Sequence, residues 1–104
     1  MITDLDKLIE AVEANSLKYY IKCAINAGLH RREAWSIDAA FHGSLDEAKA
    51  LHEVLLPGWD WCVTPSGASV YSPQVNIPID IALDKPSRAW LIAILKAYRS
   101  QVQK

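Results

Sequence analysis

Two tryptophans separated by a single residue are the most distinctive chemical feature of the sequence. Trp59 and Trp61 would share one face of a strand, because successive strand residues point to opposite faces. Two indoles on one face indicate either core side chains beneath a helix or a stacking platform for a base, a nucleotide or a partner's aromatic group. Asp60 lies between them and neither has a basic neighbour, which weakens the nucleic-acid interpretation and favours the core.

Two further aromatic residues and two adjacent arginines complete the candidate binding residues. Trp35, Tyr71 or Trp59 would mark an interface if it lay exposed within a contiguous apolar patch. Arg31 or Arg32 would supply positive charge to a nucleotide-like ligand held by the aromatic rings. The full set of candidate binding residues is Arg31, Arg32, Trp35, Trp59, Trp61 and Tyr71.

Histidines and cysteines are too few and too widely spaced to predict a metal site. His42, His52 and Cys62 are conceivable ligands, but their spacing matches no metal signature. Cys23 and Cys62 form no C-x-x-C pair and are predicted to be free thiols. The sequence contains no nucleophile elbow, dinucleotide motif or phosphate-binding loop. We therefore expect no metal, no cofactor and no catalytic residue.

Helices that would position these residues are predicted from the spacing of apolar side chains. Leucine, isoleucine, valine and tyrosine residues at helical spacing predict helices over residues 4–14 and 16–28, and a single bent helix fits the same pattern. Residues 29–42 have a mixed periodicity that fits either a helical turn or a short strand. The sequence therefore does not decide whether Arg31, Arg32 and Trp35 lie on a helix or on a strand.

Caps and prolines delimit two more helices. Ser44, with Glu47 three residues later, is typical of a capping box, in which each side chain accepts the other residue's backbone N–H. Pro57-Gly58 ends that helix. Asp84-Lys85-Pro86 opens a strongly apolar helix that is expected to be buried on two sides, with a fraying polar tail over 99–104.

Between these helices the periodicity changes to two, which predicts strands. Trp59–Thr64 and Ala68–Tyr71 flank a turn and fit a hairpin. The alternating residues from Val75 onwards fit a third segment, which Pro73 and Pro78 restrict to a sheet edge or an extended loop. We predict a single α+β domain over residues 1–104, with a small antiparallel sheet of two or three strands and about four helices in α/β/α layers.

Composition bounds the class of protein. The chain has 104 residues, of which 51% are hydrophobic and 22% are charged, so it is not disordered. A net charge of −1 gives no electrostatic case for nucleic acid or an anionic membrane. The N-terminal residues lack a signal-peptide pattern, and the most apolar stretch, Trp90–Leu95, is too short to span a membrane. We expect a cytoplasmic protein without a membrane partner.

Three segments resemble small bacteriophage and prophage proteins of the phage ABA-sandwich type. They are the opening helix Leu5–Ala14, the serine-capped helix and P-G-W-x-W strand within Gly43–Trp61, and the last helix start Lys85–Ala93. The resemblance implies a small sheet layered between helices and a phage or prophage origin, and it implies no catalytic residues. Lys85 departs from the pattern, which has threonine or serine at this position, and residues 26–42 match no part of it.

The sequence therefore favours a non-enzymatic binding or interaction module. In this hypothesis, a phage- or prophage-derived protein acts in the bacterial cytoplasm through self-association, as a homo-oligomer, or through a host protein partner. A different class, a small-ligand protein that binds a nucleotide-like molecule by aromatic stacking, is the first alternative. A small enzyme that depends on a cysteine or a histidine is the second.

Overall fold

Four helices and a three-stranded antiparallel sheet make up the described part of the chain, which confirms the α+β class. The computed structural model describes residues 4–13, 29, 31–72 and 75–102. The predicted helix over 16–28 and the predicted roles of Cys23 and Pro73 lie outside these residues. In chain order the elements are α1 (Asp4–Glu13), α2 (Arg31–Phe41), α3 (Leu45–Leu55), β1 (Asp60–Thr64), β2 (Gly67–Ser72), β3 (Val75–Ala82) and α4 (Pro86–Val102).

Helix α4 lies at the centre of the fold. Every residue from Ala89 to Leu95 is buried, which is the two-sided burial that the sequence predicted. One side packs on the sheet, chiefly on β2 and β3, and the other contacts α1, α2 and α3. In the described residues the layers therefore run sheet, α4, remaining helices, rather than helices on both faces of the sheet.

The sheet has one face toward the helices and one toward solvent. Trp61 pairs with Val70 and Val63 pairs with Ala68, and these residues face the core together with the half-buried Trp59. Cys62 lies on the opposite, exposed face. This confirms the alternation predicted for the strand.

The strand order β1-β2-β3 places β3 at an edge. Pro78 within β3 has no backbone N–H, and a proline is tolerated where its nitrogen faces solvent instead of a neighbouring strand. The edge-strand prediction is therefore confirmed. At the start of β2, the backbone of Gly67 lies so close to the carbonyl oxygen of Ile81 that a Cβ would collide with it, so the position requires glycine.

Residues 31–41, for which the sequence left a helical turn and a short strand as alternatives, form helix α2. Ala34, Ile37, Ala40 and Phe41 recur at helical spacing and are all buried against the core. Two of the four are alanines, whose small side chains give a weak periodic signal. The helical pattern is therefore present in the sequence but faint.

A glycine and a serine connect α2 to α3. Gly43 has φ +112 and donates its N–H to Ala40 O (3.1 Å), and Ser44 N–H donates to Ala39 O (2.9 Å). These two bonds are a Schellman motif, which ends α2 and needs a left-handed residue at Gly43. Ser44 then caps α3 by accepting the Glu47 N–H at 3.2 Å.

The predicted capping box is only half correct. The Ser44 N–H is used by α2, so the Glu47 carboxylate does not accept it and instead accepts the Ser36 hydroxyl at 2.9 Å. The carboxylate thereby joins α2 to α3. The fraying predicted over residues 99–104 is wrong for residues 99–102, because α4 continues to Val102 and Arg99 Nη1 lies 2.9 Å from Asp6 Oδ1 in α1. Residues 103 and 104 lie outside the described part of the chain.

Candidate functional site

A groove of about 490 Å³ lies where α2 ends and where α3 and α4 begin. This volume falls within the range of small-molecule pockets. We call it the cationic groove and define it by its lining residues, Phe41, His42, Gly43, Leu45, Asp84, Lys85, Pro86, Ser87 and Arg88. The Schellman turn at Gly43 brings the end of α2 against the start of α4, which assembles the groove from two distant parts of the chain.

Arg88 lines the cationic groove and makes two contacts with Phe41. Its guanidinium Cζ lies 3.8 Å from the centroid of the Phe41 ring, and its Nη2 donates to the Phe41 carbonyl oxygen at 3.2 Å. Stacking and hydrogen bonding together fix the plane of the guanidinium. Its Nε is buried and has no hydrogen-bond partner in the described part of the chain. An unsatisfied buried donor costs free energy, so the packing of Arg88 against Phe41 is not optimised for stability alone.

His42 and two charged residues before α4 complete the polar lining. The His42 Nδ1 lies 2.9 Å from the Asp38 carbonyl oxygen and 3.1 Å from its Oδ1, and because both partners only accept, Nδ1 carries the hydrogen. Asp38 thereby orients the imidazole at the mouth of the groove. Lys85 and Asp84 are both exposed, so the lining combines two permanent cations with one carboxylate.

The first turn of α4 adds backbone polarity. The Ala89 N–H donates to Lys85 O at 2.8 Å, so Lys85 is the last residue before the helix. Pro86 has no N–H, and the N–H groups of Ser87 and Arg88 have no acceptor within the helix. The positive end of the dipole of this 17-residue helix therefore faces the same space as the guanidinium. Chemically, the arrangement is suited to holding an anion.

The sequence-predicted residues lie outside the cationic groove, in three separate places. Arg31, Arg32 and Trp35 are exposed on α2, and Trp35 is 59% exposed. Trp61, which is 38% exposed, faces the helices from β1. Tyr71 is also 38% exposed, but it lies on the other face of the sheet, because it pairs with Asp60 and not with Trp61. The predicted aromatic residues therefore do not line one cleft.

Trp61 belongs to an aromatic cluster that includes α3 and α4. Its ring stacks on Trp90 with centroids 5.4 Å apart and meets His52 edge-on at 5.1 Å. Lys49 Nζ lies 5.9 Å from the centroid of the Trp61 ring. The Trp61 indole is thus partly buried against the core and partly exposed. It therefore fits neither interpretation of the tryptophan pair completely, as core side chains or as a stacking platform.

His52 joins this cluster to the backbone. It is 1% exposed, its Nε2 lies 2.9 Å from the Trp59 carbonyl oxygen, and its Nδ1 lies 3.3 Å from the Trp90 Nε1. A carbonyl only accepts and an indole N–H only donates, so the imidazole is neutral with its hydrogen on Nε2. Both nitrogens are engaged in structural hydrogen bonds.

The other candidate chemistries have little support in the structure. Within the described ranges, no three histidine, cysteine, aspartate or glutamate side chains come together as metal ligands. Cys62 is exposed in a shallow hollow that it shares with Ser69 and Asp80, and the Ser69 hydroxyl donates to the Asp80 carboxylate. Among the described residues that line this hollow there is no histidine, lysine or arginine that would activate the cysteine.

Sequence reasoning missed Phe41, Lys85 and Arg88, which carry the cationic groove. One signal was available, since the first turn of α4 holds a cation and no acidic residue, the reverse of what the helix dipole favours. The partner of Arg88 lies 47 positions earlier in the chain, and only the tertiary packing shows it.

Comparisons of the chain with protein-family models, curated proteins and solved structures find no match. None of the helices in the described residues is both long enough and apolar enough to cross a membrane.

Proposed function

We propose that this protein binds a small organic anion, a phosphate or carboxylate group, in the cationic groove. The observation that carries the proposal is the guanidinium fork of Arg88, which lines the groove and is held on the Phe41 ring. An oxyanion would accept charge-assisted hydrogen bonds from this fork, and such bonds are about twice as strong as neutral ones. This is the small-ligand hypothesis, with electrostatic binding in place of aromatic stacking.

The electrostatics of the cationic groove support an anion over a neutral ligand. Lys85 and Arg88 lie at the positive end of the α4 dipole, where their charges do not stabilise the helix. Asp84 offsets one of these charges, so the ligand is expected to carry one or two negative charges and not more. A bound anion would offset the repulsion between the cations and the helix terminus.

The apolar wall of the cationic groove supports an organic body on the ligand. Leu45 is 46% exposed at the start of α3 and faces the groove, although an exposed leucine gains little at a helix start. The aliphatic part of a ligand would cover it. Inorganic phosphate would leave this wall bare and should bind more weakly than phosphate on an apolar group.

The test is isothermal titration calorimetry with phenyl phosphate, which combines both features. We expect Arg88→Gln to weaken binding by about tenfold or more, because a hydrogen bond to a charged group contributes roughly 1.5–3 kcal/mol. Lys85→Gln should have a smaller effect, because its exposed charge is screened. Arg88→Lys keeps the charge but loses the planar fork, so its affinity should fall between those of Arg88→Gln and the unmodified protein.

The matched control is Lys7→Gln, which removes an exposed cation from α1 outside the groove lining. Its affinity should equal that of the unmodified chain. The proposal is wrong if phenyl phosphate does not bind at millimolar concentration. It is equally wrong if Arg88→Gln and Lys7→Gln bind with the same affinity.

We place this activity in the setting that the resemblance suggests, a phage- or prophage-derived binding module in the bacterial cytoplasm. The support is the likeness of the segments at Leu5–Ala14, Gly43–Trp61 and Lys85–Ala93. Self-association as a homo-oligomer is part of the same hypothesis and is checked by light scattering at high protein concentration. A monomer would remove that part and leave the anion site untouched.

A further inference from the structure

We infer that the anion bound in the cationic groove is one end of an extended acidic protein segment, which continues along the exposed side of α2. This inference rests on the proposed function and specifies its ligand. The occupant is a peptide with an anionic residue in the groove, an apolar residue over Trp35 and a second acidic residue near Arg31.

A continuous row of side chains connects the cationic groove to these residues. Arg31, Trp35, Asp38 and His42 follow one another at intervals of four, three and four residues, which places them on one side of a helix. All four are exposed or partly exposed, and His42 also lines the groove. We call this row the α2 stripe.

Trp35 is the apolar centre of the α2 stripe. Its side chain is 59% exposed, although the opposite side of α2 is buried in the core. An exposed indole one helical turn from Arg31 and Arg32 matches the composition of interface hot spots, in which tryptophan and arginine are enriched. It is suited to covering an apolar side chain of a partner.

The arginines at the start of α2 add the charge that selects an acidic partner. Arg31 and Arg32 are exposed in the first turn, where the helix dipole disfavours cations. Their charges therefore do not stabilise the helix, and an acidic residue of a partner would offset them. The two ends of the row, the cationic groove and the helix start, are both positive.

The length of the α2 stripe sets the spacing of the partner's residues. His42 and Arg31 are eleven positions apart, which is about 16 Å along the helix axis. An extended peptide covers that distance in about five residues. Trp35 lies about 10 Å from His42 on the same axis, or about three extended residues from the groove.

Asp38 distinguishes a peptide from a nucleic acid. Its carboxylate lies between the groove and Trp35, about two extended residues from the anionic end. A nucleic acid carries a phosphate at every nucleotide and would place a negative charge against it. A peptide with a neutral or basic residue at this position avoids that repulsion.

The test is fluorescence anisotropy with a labelled six-residue synthetic peptide that carries phosphoserine first, leucine fourth and glutamate sixth, with glycine elsewhere. We expect it to bind about tenfold or more tightly than phenyl phosphate, because it also contacts Trp35 and Arg31. A second peptide with glutamate at the third position should bind more weakly, since that residue faces Asp38.

Variants separate the α2 stripe from the groove. Trp35→Ala should weaken the peptide about tenfold and leave phenyl phosphate unchanged. The control Val54→Ala removes an equally exposed apolar side chain, 59% exposed on α3, and should change neither affinity. Both substitutions are at the surface, so the fold is retained.

The outcomes distinguish the two proposals. If phenyl phosphate does not bind, the proposed function fails, and this inference fails with it. If phenyl phosphate binds through Arg88 but the peptide is no tighter, or if Trp35→Ala has no effect on the peptide, only this inference is wrong. Tighter binding of a single-stranded oligonucleotide than of the peptide would also overturn it.

Discussion

His52 shows how one buried polar side chain can hold three parts of a fold together. It belongs to α3, donates to the backbone at Trp59 just before β1, and accepts from Trp90 in α4. Because both nitrogens have partners, burying the ring leaves no polar atom unsatisfied. Removing the ring would leave the Trp90 N–H and the Trp59 carbonyl without their partner.

We predict that His52→Ala lowers the free energy of unfolding by about 3 kcal/mol, through the cavity and the two lost hydrogen bonds. The measurement is urea denaturation at constant m-value. His42→Ala is the control, since that ring is exposed and its pair with Asp38 contributes less than about 1 kcal/mol. Equal losses in the two variants would contradict the structural role of His52.

At the residue scale, the sequence predicted which face of strand β1 would be turned toward the core. It did not predict which helix side chains would contact that face. Alternation alone places Trp59, Trp61 and Val63 on one face. The contact of His52 with Trp90 joins residues 38 positions apart, and no local pattern encodes it. The same limit hid the stacking of Arg88 on Phe41.

At the scale of elements, Gly43 and Ser44 shape the junction between α2 and α3, and Ser44 makes hydrogen bonds to both helices. Gly43 supplies the left-handed conformation that ends α2, while Ser44 both completes that end and caps the next helix. Because only His42, Gly43 and Ser44 lie between the two helices, the angle between them is tightly constrained. The position of Phe41 and Leu45 in the cationic groove depends on that angle.

We predict that Ser44→Ala lowers the free energy of unfolding by about 1 kcal/mol, because the Glu47 N–H loses its acceptor. Ser44→Asp should retain most of the stability, since its carboxylate also caps a helix. Thermal or urea unfolding measures both. Ser100→Ala, in the exposed last turns of α4, should leave stability unchanged, and a loss there equal to that of Ser44→Ala would refute the capping role.

Helix boundaries were predictable where a cap or a proline marks them. The capped start at Ser44 and the stop at Pro57-Gly58 delimit α3, and Pro86 opens α4. Helix α2 was ambiguous because alanines supply half of its buried face. The last turn of α4 was misjudged because Arg99 contacts Asp6, a partner 93 positions away that the polar sequence of this turn does not reveal.

At the scale of the whole molecule, α4 is shared by two packing surfaces. One surface covers the sheet and the other covers α1, α2 and α3. Ion pairs from the same helix reach α1, with Lys96 Nζ 3.1 Å from Glu13 Oε2 and Arg99 Nη1 2.9 Å from Asp6 Oδ1. Within the described ranges, the sheet and the helical layer therefore share one core.

We predict that Leu91→Ala, at a fully buried position of α4, lowers the free energy of unfolding by about 3 kcal/mol. Far-UV circular dichroism and tryptophan fluorescence should report the same shifted transition, because both layers depend on this helix. The exposed control Val54→Ala should change stability by less than about 0.5 kcal/mol. Two separated transitions would mean that the layers unfold independently.

The two edge strands of the sheet, β1 and β3, differ in how readily they can pair with a strand of another molecule. β3 carries Pro78, which cannot donate to an incoming chain, whereas β1 contains no proline along Asp60–Thr64. Templated growth by an added strand, including the first step toward fibrils, is therefore disfavoured at β3 and directed to β1. A charge or a proline introduced on β1 should therefore protect the protein against this strand addition.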